Sequence, residues 1–231
     1  DNDAAAIFRL QHAQAAVEPP RASEADAVEY VRRLLARARA SRRAGRYEQA
    51  HEFVQEARTL AEPLSYGPVR TEVLLELGDV LDDLGRYGEA ETALQDALRS
   101  AARWDQKAQM HRAATGLMYV VGYEQSKAEG LRYLALAEGL AGDDLELQAS
   151  THSRRAGIAF AQGDLEVAET HFREALAAHE ESGRLRPMTR ASLLNNIGMT
   201  LHARGNFEEA ARLQLQAAQI EEEMLGTDHP E

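Results

Sequence analysis

The chain of 231 residues contains no cysteine. Disulfides, thiolate metal sites and a thiol nucleophile are therefore excluded, and the composition fits a reducing compartment, the cytoplasm. β-Branched residues are scarce: valine, isoleucine and threonine together number 23, against 42 alanines and 28 leucines. A chain so poor in strand formers and so rich in helix formers is expected to be almost entirely helical. Basic residues are in deficit, 26 against 38 acidic ones, for a formal charge of −12. That balance argues against a nucleic-acid binder and against a polybasic membrane-surface protein. Long hydrophobic runs are missing too. The longest, Gly116 to Tyr123, spans eight residues, whereas a membrane helix needs about 20, and no signal-peptide pattern opens the chain. A soluble segment is expected. Starting at Asp1 and stopping just after Pro230, it reads as a piece of a longer protein.

What is present is repetition, which overrides the usual estimate of domain number from length. Gly45-Arg46-Tyr47-Glu48-Gln49-Ala50 recurs as Gly85-Arg86-Tyr87-Gly88-Glu89-Ala90, as Gly163-Asp164-Leu165-Glu166-Val167-Ala168 and as Gly205-Asn206-Phe207-Glu208-Glu209-Ala210. A degenerate copy surrounds Gly130. The closing small residues (Ala50, Ala90, Gly130, Ala168, Ala210) are 40, 40, 38 and 42 apart, so the chain holds five tandem units. Their approximate limits are 21–62, 63–102, 103–141, 142–183 and 184–226, with the start of a further unit after them and residues 1–20 as an N-terminal helix (about 3–17) and linker.

Each unit reads as two amphipathic helices. A small residue lies twelve positions before the marker (Ala38, Gly78, Ala156, Gly198), and an alanine lies seven after it (Ala57, Ala97, Ala137, Ala175, Ala217). Small residues at these points let helices approach closely, while Leu74, Leu77, Leu81 and Leu94 form a buried stripe. The glycine ends the first helix, where an open backbone is needed. First helices are expected near 24–44, 67–84, 104–121, 143–162 and 187–204, and second helices near 47–62, 87–102, 124–140, 165–182 and 207–225. Ser23 with Asp26 marks a helix start, and Pro63, Pro68 and Pro187 stand at boundaries.

This pattern of small residue, Gly-x-Tyr, Ala and Ala resembles the tetratricopeptide repeat (TPR) over residues 24–225. The spacing of about 40 to 42, with Leu193-Leu194-Asn195-Asn196-Ile197-Gly198 and the closing Leu225-Gly226-Thr227-Asp228-His229-Pro230, is similar to the kinesin-light-chain subtype, which bacterial signalling proteins also use. The Ala/Arg/Gly-rich usage resembles the C-terminal repeat regions of large bacterial Ser/Thr kinases of the myxobacterial kind. The resemblance implies an all-α, right-handed superhelical solenoid whose first helices line a concave surface. The third unit departs from the pattern. Val120-Val121-Gly122-Tyr123-Glu124-Gln125-Ser126-Lys127 replaces the Gly-x-aromatic turn, so its helix pair is expected to be splayed or its turn enlarged.

Catalytic chemistry finds no support. The eight histidines include no pair at i+3 or i+4, the spacing that sets two ligands on one helix face, so no metal site is expected. No phosphate-binding loop or nucleophile elbow is present. Asp79, Asp82 and Asp83 read as a solvated face rather than an acid/base pair. The expectation is a chain that is not an enzyme and carries no cofactor.

Binding is expected along the inner face of the first helices. Unit one presents Arg32, Leu35, Ala36, Arg39, Arg42 and Arg43, a basic stripe; unit two presents Glu72, Leu75, Glu76, Asp79, Asp82 and Asp83, an acidic one. These either compensate each other across adjacent helices or form a partner site. A nucleic-acid role for the arginines is disfavoured by the −6 of residues 142–183 alone. Unit three presents Met110, Ala113, Ala114, Leu117, Val120 and Val121, either as an apolar wall or as buried packing. Unit four offers Ser150, Ser153, Arg154, Gly157, Phe160 and Ala161, and unit five Ser192, Asn195, Asn196, Met199, His202 and Ala203. Asparagine amides can bond a peptide backbone while Phe160, Met199 and Leu117 receive side chains. TPRs of this type commonly present asparagines in the groove, which singles out Asn195 and Asn196, although the pair could equally serve packing and solvent. Arg154 could hold a ligand carboxylate or an ion pair within the fold. Tyr47, Tyr87 and Phe207 read as packing residues, not ligand contacts. Asn195, Asn196, Met199, His202, Arg154, Ser153, Phe160, Asp79 and Leu117 are thus the candidate peptide or protein contacts. The chain reads as an interaction or sensor region of a signalling protein. A spacer or self-association platform, and the sensing arm of a transcription regulator, are the alternatives.

Overall fold

The structure, a computed structural model, describes residues 19–124 and 127–225. The expected N-terminal helix over about 3–17 and the stretch after Leu225 that would open a further repeat lie outside these residues. Ten helices follow one another: α1 (Ala25–Arg43), α2 (Tyr47–Ala61), α3 (Gly67–Asp83), α4 (Tyr87–Arg103), α5 (Lys107–Glu124), α6 (Lys127–Ala141), α7 (Leu145–Gln162), α8 (Leu165–Glu181), α9 (Pro187–Ala203) and α10 (Phe207–Leu225). The described residues contain no strand, so the fold is an all-α helical repeat. Pro68 and Pro187 fall in the first turns of α3 and α9, where a missing N–H costs no helical hydrogen bond. No helix among the described residues is long and apolar enough to cross a membrane.

The recurrent turn has one geometry. Gly85 takes φ +70°, and beyond it the Arg86 N–H donates to the Leu81 carbonyl at 2.8 Å. This closure satisfies an orphan carbonyl of α3 and ends the helix, because only a residue without a Cβ enters the left-handed region at little cost. The same bond recurs from Arg46 to Ser41, from Asp164 to Ala159 and from Asn206 to Leu201. Repeating four residues therefore repeats a helix stop and the entry angle of the next helix.

Two compact units result, Asp1–Val120 and Val121–Glu231. In the first, α3 packs against α1, α2 and α4. The marker alanines Ala38, Ala50, Ala57, Ala90 and Ala97 are fully buried, and Gly78 takes Leu94 of α4 directly against its backbone. In the second, Ala156, Ala168, Ala175, Ile197, Leu201 and Ala217 form one apolar core over α7 to α10, with Phe172 and Leu194.

The irregular third repeat differs from expectation. Its first helix starts at Lys107 instead of about 104 and runs on to Glu124, with Gly122 standing inside the helix rather than ending it. The turn expected to be enlarged, at 125–126, lies outside the described residues. Gly122 meets Gly130, where an added Cβ would stand 3.1 Å from the Gly130 Cα.

Candidate functional site

In the first unit the basic and acidic stripes face each other and pair. Arg32 of α1 holds Glu72 of α3 with two nitrogens, Nη2 to Oε1 at 2.8 Å and Nε to Oε2 at 3.1 Å. Arg39 Nε donates to Glu76 Oε2 at 2.7 Å, Arg42 Nη1 reaches Glu76 Oε1 at 3.2 Å, and Arg42 Nε reaches Asp83 Oδ2 at 2.5 Å. From α5, Arg112 joins Asp79 and approaches Glu76 at 3.5 Å. The Glu76 carboxylate is wholly buried, so three guanidiniums supply the solvation that water would otherwise give it. Burial works against the charge of Arg42, yet the Asp83 hydrogen bond and the fields of Asp79, Asp83 and Glu76 outweigh it and raise its pKa above the ordinary arginine value. Arg112 is shifted upward in the same way: burial opposes its charge, and Asp79 and Glu76 overcome it.

A cleft of about 400 Å³ opens beside this network, lined by Arg39, Arg42, Arg43, Tyr47, Glu76, Asp83 and Arg112. Tyr47, expected to be a packing residue, is 40% exposed at this cleft. Phe207 is 61% exposed, its ring edge-on to His202 with centroids 5.1 Å apart. Recurrence at the start of each second helix set their place in the repeat but did not bury them. Asp79 is engaged by Arg42 and Arg112, so its charge already serves the fold.

Leu117 is fully buried, as are Leu35, Leu75, Ala113, Ala114, Val120 and Val121. The open face expected at Leu35 and Leu75 is core, and of the two readings of unit three, Ala113, Ala114, Leu117, Val120 and Val121 take the buried one. A helix packed on several sides, as α3 is by α1, α2 and α4, buries a wider arc than a single amphipathic stripe.

The second unit keeps its polar face open. On α9, Ser192, Asn195, Met199 and His202 are exposed and Asn196 is half-buried, while Leu193, Leu194, Ile197 and Leu201 on the opposite arc are core. The Asn195 amide makes a weak contact with Met199 Sδ, at 3.8 Å. Among the described residues no side chain holds the Asn196 amide. On α7, Ser153 and Arg154 are half-buried, and Phe160 packs against the core of the unit, which spends much of its ring on stability.

One grouping escaped the sequence. His152 of α7 and His171 of α8 bring their Nδ1 atoms within 3.4 Å, and Glu174 Oε2 lies 3.0 Å from the first and 2.5 Å from the second. These three could hold a metal ion. Burial lowers the pKa of His152, with His171 and Arg155 adding to the effect and Glu174 and Glu138 opposing it. The signal available in the sequence was a His–Glu pair at i+3, which a search for paired histidines on one helix passes over.

Comparison with known proteins agrees with the repeat reading. Two profiles described as tetratricopeptide repeat match residues 25–103 and 190–231. No curated protein is significantly similar to the chain in sequence. Among solved structures, BtubC (BKLC) from P. vanneervenii is 21% identical, with a TM-score of 0.57 and 94% of each chain covered. A Rap protein complexed with Competence and Sporulation Factor is 15% identical, with a TM-score of 0.68 over 83% of this chain and 55% of the other. Aspartyl phosphate phosphatase F from Bacillus subtilis is 14% identical, with a TM-score of 0.57 over 84% and 60%. The chain thus spans a little over half the length of these last two, and at such identities the likeness is one of fold. The recurring turn, the buried marker alanines and the two profile matches agree, and the chain belongs to the tetratricopeptide-repeat family.

Proposed function

We propose that the chain is a non-catalytic interaction module that holds a peptide or protein segment on the open face of α9, as part of a larger signalling protein. The observation that carries this reading is the contrast between the two units. In the first, the charges of the inner helices are consumed by one another. On α9 the amides of Asn195 and Asn196 and the thioether of Met199 are left for a visitor. Amides can bond an extended backbone through both donor and acceptor, and a flexible thioether adapts to an apolar side chain. A Rap protein with this fold is known complexed with Competence and Sporulation Factor, which supports binding as a use of such helices.

The test is selection of peptides from a random library displayed on phage, panned in parallel against the wild-type chain and Met199→Arg. Peptides that bind wild type and lose binding to Met199→Arg support the reading. Peptides that bind both equally place the site elsewhere.

A second reading, self-association, has one observation in its favour. Phe207 and Leu215 are each 61% exposed on α10, and Ala211 and Ala218 on the same arc are exposed as well, an apolar stripe at helical spacing. Sedimentation velocity across a concentration series separates the two readings: a dimer abolished by Leu215→Glu supports assembly, and a monomer at all concentrations removes it.

A further inference from the structure

The fourth repeat joins α7 to α8, and at one point along that contact three ligand-type side chains converge. His171 and Glu174 are three residues apart on α8 and so share a face. His152 comes from α7, 19 residues earlier in sequence. All three present one atom to a common point: the separations are 3.4 Å between the two Nδ1 atoms and 3.0 Å and 2.5 Å from these to Glu174 Oε2. The two ring nitrogens face each other and share one carboxylate oxygen, so all three ligand atoms point at the same small space. Zinc binds imidazole nitrogen at about 2.0–2.1 Å and carboxylate oxygen at about 2.0–2.2 Å in tetrahedral geometry, which spaces donors about 3.3 Å apart. The nitrogen pair already has that spacing, and the two distances to the carboxylate need to widen by less than about 1 Å.

We propose that His152, His171 and Glu174 form a binding site for one divalent transition-metal ion of the zinc class, with water in the fourth position. Two imidazoles and one carboxylate suit zinc, cobalt or nickel and not magnesium or calcium, which prefer all-oxygen sets. Three protein ligands with an open fourth position is a recognised zinc arrangement. Access is adequate, since the side chains are 30%, 12% and 45% exposed. The neighbouring guanidinium of Arg155 is paired with Glu138 at 3.2 Å, which tempers its repulsion of a cation. A bound ion bridges α7 and α8, so its binding energy adds to the stability of the fourth repeat. The site lies on different residues from the α9 face, and neither reading depends on the other.

Calorimetric titration of the EDTA-stripped, dialysed chain with ZnCl₂ tests the site. One equivalent should bind, and cobalt(II) should give the visible bands of a four-coordinate centre. His152→Ala, His171→Ala and Glu174→Gln should each weaken that equivalent by at least about tenfold, while His51→Ala in the other unit leaves it unchanged. Zinc should raise the melting temperature of the wild type and not of these three variants, whose circular dichroism in EDTA checks that they fold. MgCl₂ should produce no binding. Absence of binding to the wild type, or an equivalent indifferent to all three substitutions, overturns the proposal.

Discussion

Leu94 of α4 rests on Gly78 of α3 so closely that a β-carbon at Gly78 would stand 2.5 Å from the leucine Cγ and 2.6 Å from Cδ2. Cγ is the branch point of a buried side chain, not the tip of a flexible one, so a methyl group there forces the helices apart. Gly78→Ala should therefore destabilise the chain by about 1–3 kcal/mol. The gain in helix propensity, about 1 kcal/mol, offsets only part of the strain. Leu94→Ala alone should cost about 2–5 kcal/mol through its cavity. Together the two should cost less than their sum, because each relieves the other's defect. Denaturant melts of the four proteins measure this coupling, and strict additivity would refute the close contact.

Gly85 isolates a different cost. It sits at φ +70° with nothing within 4 Å of an added Cβ, so Gly85→Ala meets no clash and pays only for left-handed backbone, roughly 1–2 kcal/mol. Gly85→Asn should lose less, since asparagine tolerates that region. A melt in which alanine and asparagine variants coincide with wild type would mean that the turn does not require this conformation.

Glu76 should be the most costly carboxylate to remove in the first unit. It is wholly buried between Arg39, Arg42 and Arg112, and Glu76→Gln keeps its shape while leaving the guanidiniums without their shared counter-charge. A loss of about 3–5 kcal/mol is expected, as for other broken buried pairs. Glu72→Gln removes a partner of Arg32 in a pair whose side chains are 25% and 41% exposed, for which about 1 kcal/mol or less is expected. Thermal unfolding of both variants, at low and high salt, checks the ranking; equal losses would contradict it.

The parts of the fold carried by neighbouring residues were legible before the structure. Gly85 and its counterparts announced each helix stop, and Ala38, Gly78, Ala156 and Gly198 marked the close crossings, because both signals depend on backbone geometry within a few residues. Stripe charge and repeat order offered the pairing of Arg39 and Arg42 with Glu76 and Asp83 as one of two readings. Burial was harder to read. The spacing of one helix places Leu35 on an open face and leaves Leu117 between a wall and packing, whereas neighbours on several sides enclose both. Tyr47 and Phe207 recur, which reveals a constraint but not the surface each faces. The His152, His171 and Glu174 cluster needed the pairing of α7 with α8, information absent from any single helix.

The open face of α9 leads to the last expectation, that function and stability separate there. Asn195 and Met199 are exposed and Asn196 is half-buried, and the Asn195 amide meets Met199 Sδ at a long 3.8 Å. Asn195→Ala, Asn196→Ala and Met199→Ala should each change stability by no more than about 0.5 kcal/mol, the range of surface substitutions. Ile197, one residue along the same helix, is 1% exposed within the core of the second unit, and Ile197→Ala should cost about 2–5 kcal/mol. If a segment binds across α9, the three surface variants should weaken a selected peptide in fluorescence anisotropy while melting with wild type. A large loss of stability in Asn196→Ala would instead give that amide a structural role and move the recognition surface away from α9.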